Sequence, residues 1–235
     1  MYRGLYSHSY QLRRELYKKI FRILLGIFIS ILTINLVQLF LFFPVMQKSN
    51  SMAPDIPAKS IVMTTPLSKT PKRGELFLVS PLLKEKLPPK DVIIDFMQRF
   101  FTAQQFSSIK SKTGTVPYIR RVIGLPGDTV YINNYVVYIK NKENPQYLTE
   151  FELSTLSYNL EIPAVTEGIN IKMGAAGNCD PVTLGDNEYF LLSDNRLESF
   201  DSRIWGAVKK DSLMGKAFLI YFPLNKFRFL PFHSK

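Results

Sequence analysis

Ser51 is the side chain in this sequence from which chemistry is most readily read. It is followed by Met52, Ala53 and Pro54, and it lies eight residues beyond a charge-free apolar stretch, 23–43. A serine hydroxyl becomes a useful nucleophile when a neighbouring group takes its proton. Histidine, the usual base, occurs only as His8, upstream of the stretch, and His233, two residues from the end. That count argues against a Ser-His-Asp triad. The two histidines and the lone Cys179 leave little for a transition-metal site, and a single cysteine excludes an intrachain disulfide or a CxxC redox pair. No metal and no cofactor is expected.

The elements that must position Ser51 begin with the apolar stretch itself. ILLGIFISILTINLVQLFLFF is 21 residues without a charge, enough to cross about 30 Å of hydrocarbon as a helix. Pro44 is expected to end it. A cleavable signal peptide would have an apolar run of about 7–15 residues and then a small-x-small site; Val45, Met46, Gln47 and Lys48 follow instead. The stretch therefore reads as a retained anchor. Arg3, Arg13, Arg14, Lys18, Lys19 and Arg22 precede it against the single Glu15, whereas only Lys48 and Lys59 occur in the next 16 residues. By the positive-inside tendency, residues 1–22 are a cytoplasmic basic segment, 23–43 a transmembrane helix, and 44–235 an extracytoplasmic domain.

Of the net charge of +11, +5 precedes the stretch and +6 follows it. The external cations are scattered, and a nucleic-acid-binding domain would lie on the wrong side of the membrane. A lipid bilayer is the expected partner; nucleic acid is not.

Beyond the anchor the sequence reads as short β segments separated by turns. Candidate strands are 60–64, 76–80, 118–123, 129–132, 136–140, 188–193 and 216–222, several rich in Val, Ile, Tyr or Phe. Asn133-Asn134 suits a tight hairpin. DVIIDFMQRFFTAQ, 91–104, has near-helical apolar spacing and reads as a helical insertion. Residues 141–187 carry turn signals and no clear period, and are expected to hold an inserted subdomain. The Phe-rich segment 217–232 reads as a core strand followed by a packed edge, or as an apolar rim at the lipid interface. A mainly β domain behind a membrane helix follows.

Four segments occur in an order and at spacings that carry a resemblance: SNSMAP around Ser51, KRGE at 72–75 leading into LFLVS, YIRRVIGLPGD at 118–128, and SDNRLESFDSRIWG at 193–206. Together they resemble bacterial type I signal peptidases, membrane-anchored serine proteases that remove signal peptides from exported proteins. The resemblance runs from the anchor to the last strand. It implies an antiparallel β barrel-like catalytic domain, cleavage through an acyl-enzyme on Ser51, and exported preproteins with small residues before the cut bond as partners. By the same resemblance Ser49 helps bind the oxyanion, Ser199 lies near the general base, and Asp201 and Arg203 form an ion pair supporting the site wall, with Asp194, Asn195 and Trp205 in the same box.

One position departs from the family in a way that bears on the chemistry. Where the family has its general-base lysine after Tyr-Ile, this chain has Arg120, followed by Arg121. Lysine must fall about three pKa units to act as a base near pH 7, whereas arginine must fall at least five or six. Three alternatives stay open: another lysine, with Lys59 and Lys112 nearest along the chain, reaches Ser51; the protein is a catalytically impaired homologue that binds preproteins or a partner; or the arginine is a variant of one lineage. A cytosolic self-cleaving repressor also pairs serine with lysine, but would carry a DNA-binding domain where this chain has the apolar stretch. Smaller departures are Asn50 and Ser193 where glycine is usual, Asp55-Ile56 for Thr-Leu, and Glu75 for aspartate.

Overall fold

The computed structural model describes residues 3–68, 70–80, 90, 93–94, 97–98, 117–162, 177–197 and 200–230, with the side chains of 3–12 and 38–39 also outside the description. The chain divides into two units: 1–39 with 87–109, and 40–86 with 110–235.

The first unit is dominated by helix α1, Arg3–Phe40. Within it Arg13–Val37 is long and apolar enough to cross a membrane. Ile23, Leu24, Ile27 and Phe28 are all more than half exposed. Of the expected helical insertion at 91–104, most residues lie outside the description; the described positions 93–94 and 97–98 are helical.

The second unit is mainly β, and the named strands of the described residues all pair antiparallel, as expected. Its strands are β1 (Phe43–Met46), β2 (Ile61–Thr65), β3 (Leu76–Val79), β4 (Tyr118–Gly124), β5 (Thr129–Asn133), β6 (Val136–Lys140), β7 (Leu148–Thr149), β8 (Cys179–Thr183), β9 (Glu188–Leu192), β10 (Val208–Lys209), β11 (Leu213–Phe222) and β12 (Arg228–Phe229). Two one-turn helices, α2 (Glu150–Leu153) and α3 (Ser202–Trp205), lie between them. The larger sheet runs β1-β2-β11-β3-β4-β9-β10, with β12 on β11; the smaller runs β7-β6-β5-β8.

Strand alternation builds the core. On β5 and β6, Val130, Ile132, Val137 and Ile139 point one way and join Ile123, Leu184, Phe190 and Leu192 in one apolar cluster. On the larger sheet, Leu76, Leu78, Ile119, Val62 and Ile220 form a second cluster that also takes Met52 and Ile56. Phe77, Val79, Val122 and Leu191 form a third. The site is thus tied to two clusters from the outset: Met52 directly follows Ser51, and Arg120 and Arg121 lie between Ile119 and Val122.

Three local expectations are corrected. The helix ends at Phe40 rather than at the end of the charge-free stretch, because Phe43 and Pro44 pair with Thr64 and Met63 as strand β1. Pro44 is tolerated there because β1 is an edge strand. The hairpin turn is Asn134-Tyr135, both at positive φ, with Asn133 already paired to Val136. Shifting by one residue keeps Ile132 opposite Val137 on the core side. The smaller sheet begins at Thr129, ahead of the expected insertion at 141–187, and recruits β7 and β8 from it.

Gly124 marks close packing between the sheets, at a register shift between β4 and β9. A Cβ there would stand 2.7 Å from Leu184 Cδ1 and 2.8 Å from both Phe190 Cβ and Val130 Cγ2. Gly124→Ala is expected to cost about 1–3 kcal/mol, measured as a lowered thermal midpoint of the detergent-solubilised chain. An unchanged midpoint would contradict this packing.

Candidate active site

The loop carrying Ser51 is closed at its base and pinned in its middle. Gln47 N–H donates to Ser60 O (2.8 Å) and Lys59 N–H to Gln47 O (2.7 Å). Ile56 N–H returns to Met52 O (2.7 Å), and Met52 and Ile56 are both fully buried. Asn195 N–H donates to Ser51 O (3.0 Å), tying the loop to the segment after β9. Asn50 has no positive φ, so the usual glycine is not required there; its Oδ1 accepts from Ala58 N–H (3.2 Å).

Ser51 Oγ receives three donors. Arg120 Nη1 lies at 3.0 Å, Ser49 Oγ at 3.0 Å and Gln47 Nε2 at 3.2 Å. Gln47 Nε2 also donates to Ser49 O (3.0 Å), which fixes its amide orientation. Ser51 is 3% exposed, whereas Ser49 is exposed and opens the site to solvent. Among the described residues, no carboxylate, histidine or lysine is a partner of Ser51 Oγ.

Arg120 is placed by β4, where it pairs with Phe77 of β3. Its Nη1 also donates to Ile119 O (2.6 Å), while Nε and Nη2 both reach Phe200 O (3.1 and 2.9 Å). The guanidinium carbon stands 5.1 Å from the Tyr118 ring centre and 5.8 Å from that of Trp205, favourable cation–π positions. Burial pushes its pKa down to about 10, against the opposing pull of Asp201 and Asp194. At neutral pH Arg120 is therefore a charged donor.

Arg121 points to the other face of β4 and organises a separate network. It donates through Nε to Asp194 Oδ1 (2.6 Å), through Nη2 to Asp194 Oδ2 (2.5 Å) and Asp55 Oδ2 (3.0 Å), and through Nη1 to Gly74 O (2.7 Å). Its guanidinium carbon sits 4.0 Å from the centre of the Tyr158 ring. Burial opposes its charge, but Asp194 and the other partners outweigh that and raise its pKa.

Asp201 and Arg203 do pair, through Oδ2···Nη2 (2.8 Å) and Oδ1···Nε (3.0 Å). Asp201 also accepts from Ser193 N–H and Arg203 N–H, both at 3.1 Å. Burial would raise the Asp201 pKa; the Arg203 hydrogen bond and charge overcome it, and the net direction is down. Because Phe200 precedes Asp201, this anchoring fixes the carbonyl that holds Arg120. Ser193, where glycine is usual, is fully buried.

The structure thus brings Ser51, Ser49 and Arg120 together, pairs Asp194 with Arg121, and pairs Asp201 with Arg203. Ser199, Lys112 and His233 lie outside the described residues. Lys59 is exposed, at positive φ, and is no partner of Ser51 Oγ. Two participants escaped the sequence reading, Gln47 and the Phe200 carbonyl. An uncharged amide four residues before a serine, and a main-chain oxygen, leave no residue-type signal.

With this geometry in view, residues 20–222 match the profile of the family described as Signal peptidase, peptidase S26. The chain belongs to this family. It is 27% identical over 206 residues to Signal peptidase I T of Bacillus subtilis (strain 168), covering 86% of each chain. It is 35% identical over 121 residues to Signal peptidase I P of Bacillus subtilis subsp. natto, covering 51% of this chain and 59% of the relative. Against the Probable signal peptidase I-2 of Synechocystis sp. it is 27% identical over 181 residues, 76% of this chain and 62% of that one. The last two matches span about three fifths of the relatives' own length.

Breaking the Asp201–Arg203 pair leaves a buried guanidinium without its carboxylate. Asp201→Asn is expected to destabilise by about 3–5 kcal/mol, read by thermal unfolding in detergent. Loss of less than about 1 kcal/mol would contradict the role given to this pair.

Proposed function

We propose that the chain is a membrane-anchored serine endopeptidase that removes signal peptides from exported preproteins. Helix α1 holds it in the cytoplasmic membrane, with the N-terminal cations inside and the β domain outside. The observation that carries this reading is Ser51 Oγ within 3.0 Å of both the Ser49 hydroxyl and the Arg120 guanidinium, in a chain of the signal peptidase family.

Ser51 Oγ attacks the carbonyl carbon of the bond to be cut; its proton passes to the departing nitrogen, the mature protein leaves as the amine, and the ester left on Ser51 is hydrolysed by water. The Ser49 hydroxyl and the Ser51 N–H are the donors for the carbonyl oxygen as it becomes an anion, a kind of contact worth about 3–4 kcal/mol in other proteases. Gln47 ties the main-chain carbonyl of Ser49 and the hydroxyl of Ser51 together. Asp194, Asp201 and Arg203 act by positioning β4 and the Phe200 carbonyl.

Proton removal is the step that Arg120 shapes. A group with pKa about 10 is neutral in about one molecule in a thousand at pH 7. If its neutral form takes the Ser51 proton, kcat/KM climbs about tenfold per pH unit up to about 10. Lysine in the same buried place starts from about 10.4 and loses its proton more readily on burial.

The donor-only surroundings of Ser51 Oγ favour a second reading, in which the chain binds signal peptides without cutting them. Cleavage of a model preprotein by the detergent-purified chain separates the two. The first reading expects cleavage that rises with pH, is abolished in Ser51→Ala, and increases at least about tenfold at pH 7 in Arg120→Lys. No cleavage by the parent at any pH up to 10, with recovery in Arg120→Lys, supports the second reading and contradicts the first.

A further inference from the structure

Charge around Ser51 does not balance within the described site. Asp194 is engaged by Arg121 and Asp201 by Arg203. Arg120, 1% exposed, ends all four of its hydrogen bonds on neutral oxygens: Phe200 O twice, Ile119 O and Ser51 Oγ. A guanidinium carries five N–H groups, so one on Nη2 has no acceptor among the described residues. The charges of Asp201 and Asp194 reach Arg120, but among the described residues no carboxylate is in hydrogen-bond contact with it, and a buried cation so placed is costly. Beside it stand two more donors, the Gln47 amide and the Ser49 hydroxyl, the latter on the exposed side of the site.

An uncut peptide offers this site a neutral carbonyl. A released signal peptide offers a carboxylate at the same point of its chain, with a negative charge that no described residue brings into hydrogen-bond contact with Arg120, and two oxygens to share among the donors. We propose that the donor cluster around Ser51 is a receptor for the free C-terminal carboxylate of a released signal peptide, which enters past the exposed Ser49, with Arg120 as its counter-ion and Gln47 and Ser49 as neutral donors. The inference rests on the reading that this chain handles signal peptides, and adds which end state of the substrate the site holds best. With a neutral lysine in place of Arg120, the site would lack the charge that makes this preference.

The test uses the full chain in detergent at pH 7 and a fluorescein-labelled peptide of an apolar run ending Ala-Leu-Ala. The peptide is prepared once with a free C-terminal carboxylate and once as the C-terminal amide. The carboxylate is expected to bind about 10- to 100-fold tighter, the range for a hydrogen bond to a charged group, and the preference is expected to vanish in Arg120→Gln. The comparison of the two peptides on the parent chain needs no variant, so it stands even if Arg120→Gln unfolds. Equal affinity for both peptides overturns the carboxylate preference and leaves signal-peptide binding intact. Binding of neither overturns the signal-peptide reading and this inference with it. A preference that persists in a folded Arg120→Gln assigns the carboxylate to another group and overturns the role of Arg120.

Discussion

The Arg120 guanidinium, donating to Ser51 Oγ from within the β domain, sets the terms for everything around it. A charge in that position needs compensation from several directions. The Phe200 carbonyl accepts twice, the Ile119 carbonyl once, and Tyr118 and Trp205 offer ring faces. The Phe200 carbonyl is in turn held by Asp201, whose carboxylate is saturated by Ser193 and Arg203. Burial still prevails over these neighbours in lowering the pKa of Arg120 to about 10.

Arg121 shows the opposite balance one residue away. Its two ion pairs and the Gly74 carbonyl keep it charged despite equal burial. Because alternate residues of a strand face opposite ways, β4 supplies a site group and a structural group from consecutive arginines. Arg121 thus braces the strand through Asp194 and Asp55 so that Arg120 is presented to the serine. The Ser51 loop is braced separately, by Met52 and Ile56 in the apolar core and by Asn195 on its backbone.

Much of this was legible in the sequence, for physical reasons that differ by element. The strands at 61–65, 76–79, 118–124 and 136–140 declared themselves by β-branched and aromatic residues between turns. Strand β1 did not, because it continues the apolar run that forms the helix, and strand β8 did not, because CDPVT has little apolar content and a proline. Both are edge strands, where the central-strand signal is weakest. In the site, Ser51, Ser49, Asp201 and Arg203 could be placed by their motifs. Gln47 and the Phe200 carbonyl could not, since their contacts arise only when the loop and β4 meet.

The chemistry of the site depends on Arg120 being a charged donor to Ser51 at neutral pH. Arginine labelled with carbon-13 at Cζ, followed through a pH titration of the full chain in detergent and assigned with Arg120→Lys, reads that charge directly. A charged guanidinium at pH 7 that loses its proton near pH 10 is the expected result. A neutral signature at pH 7 would contradict it.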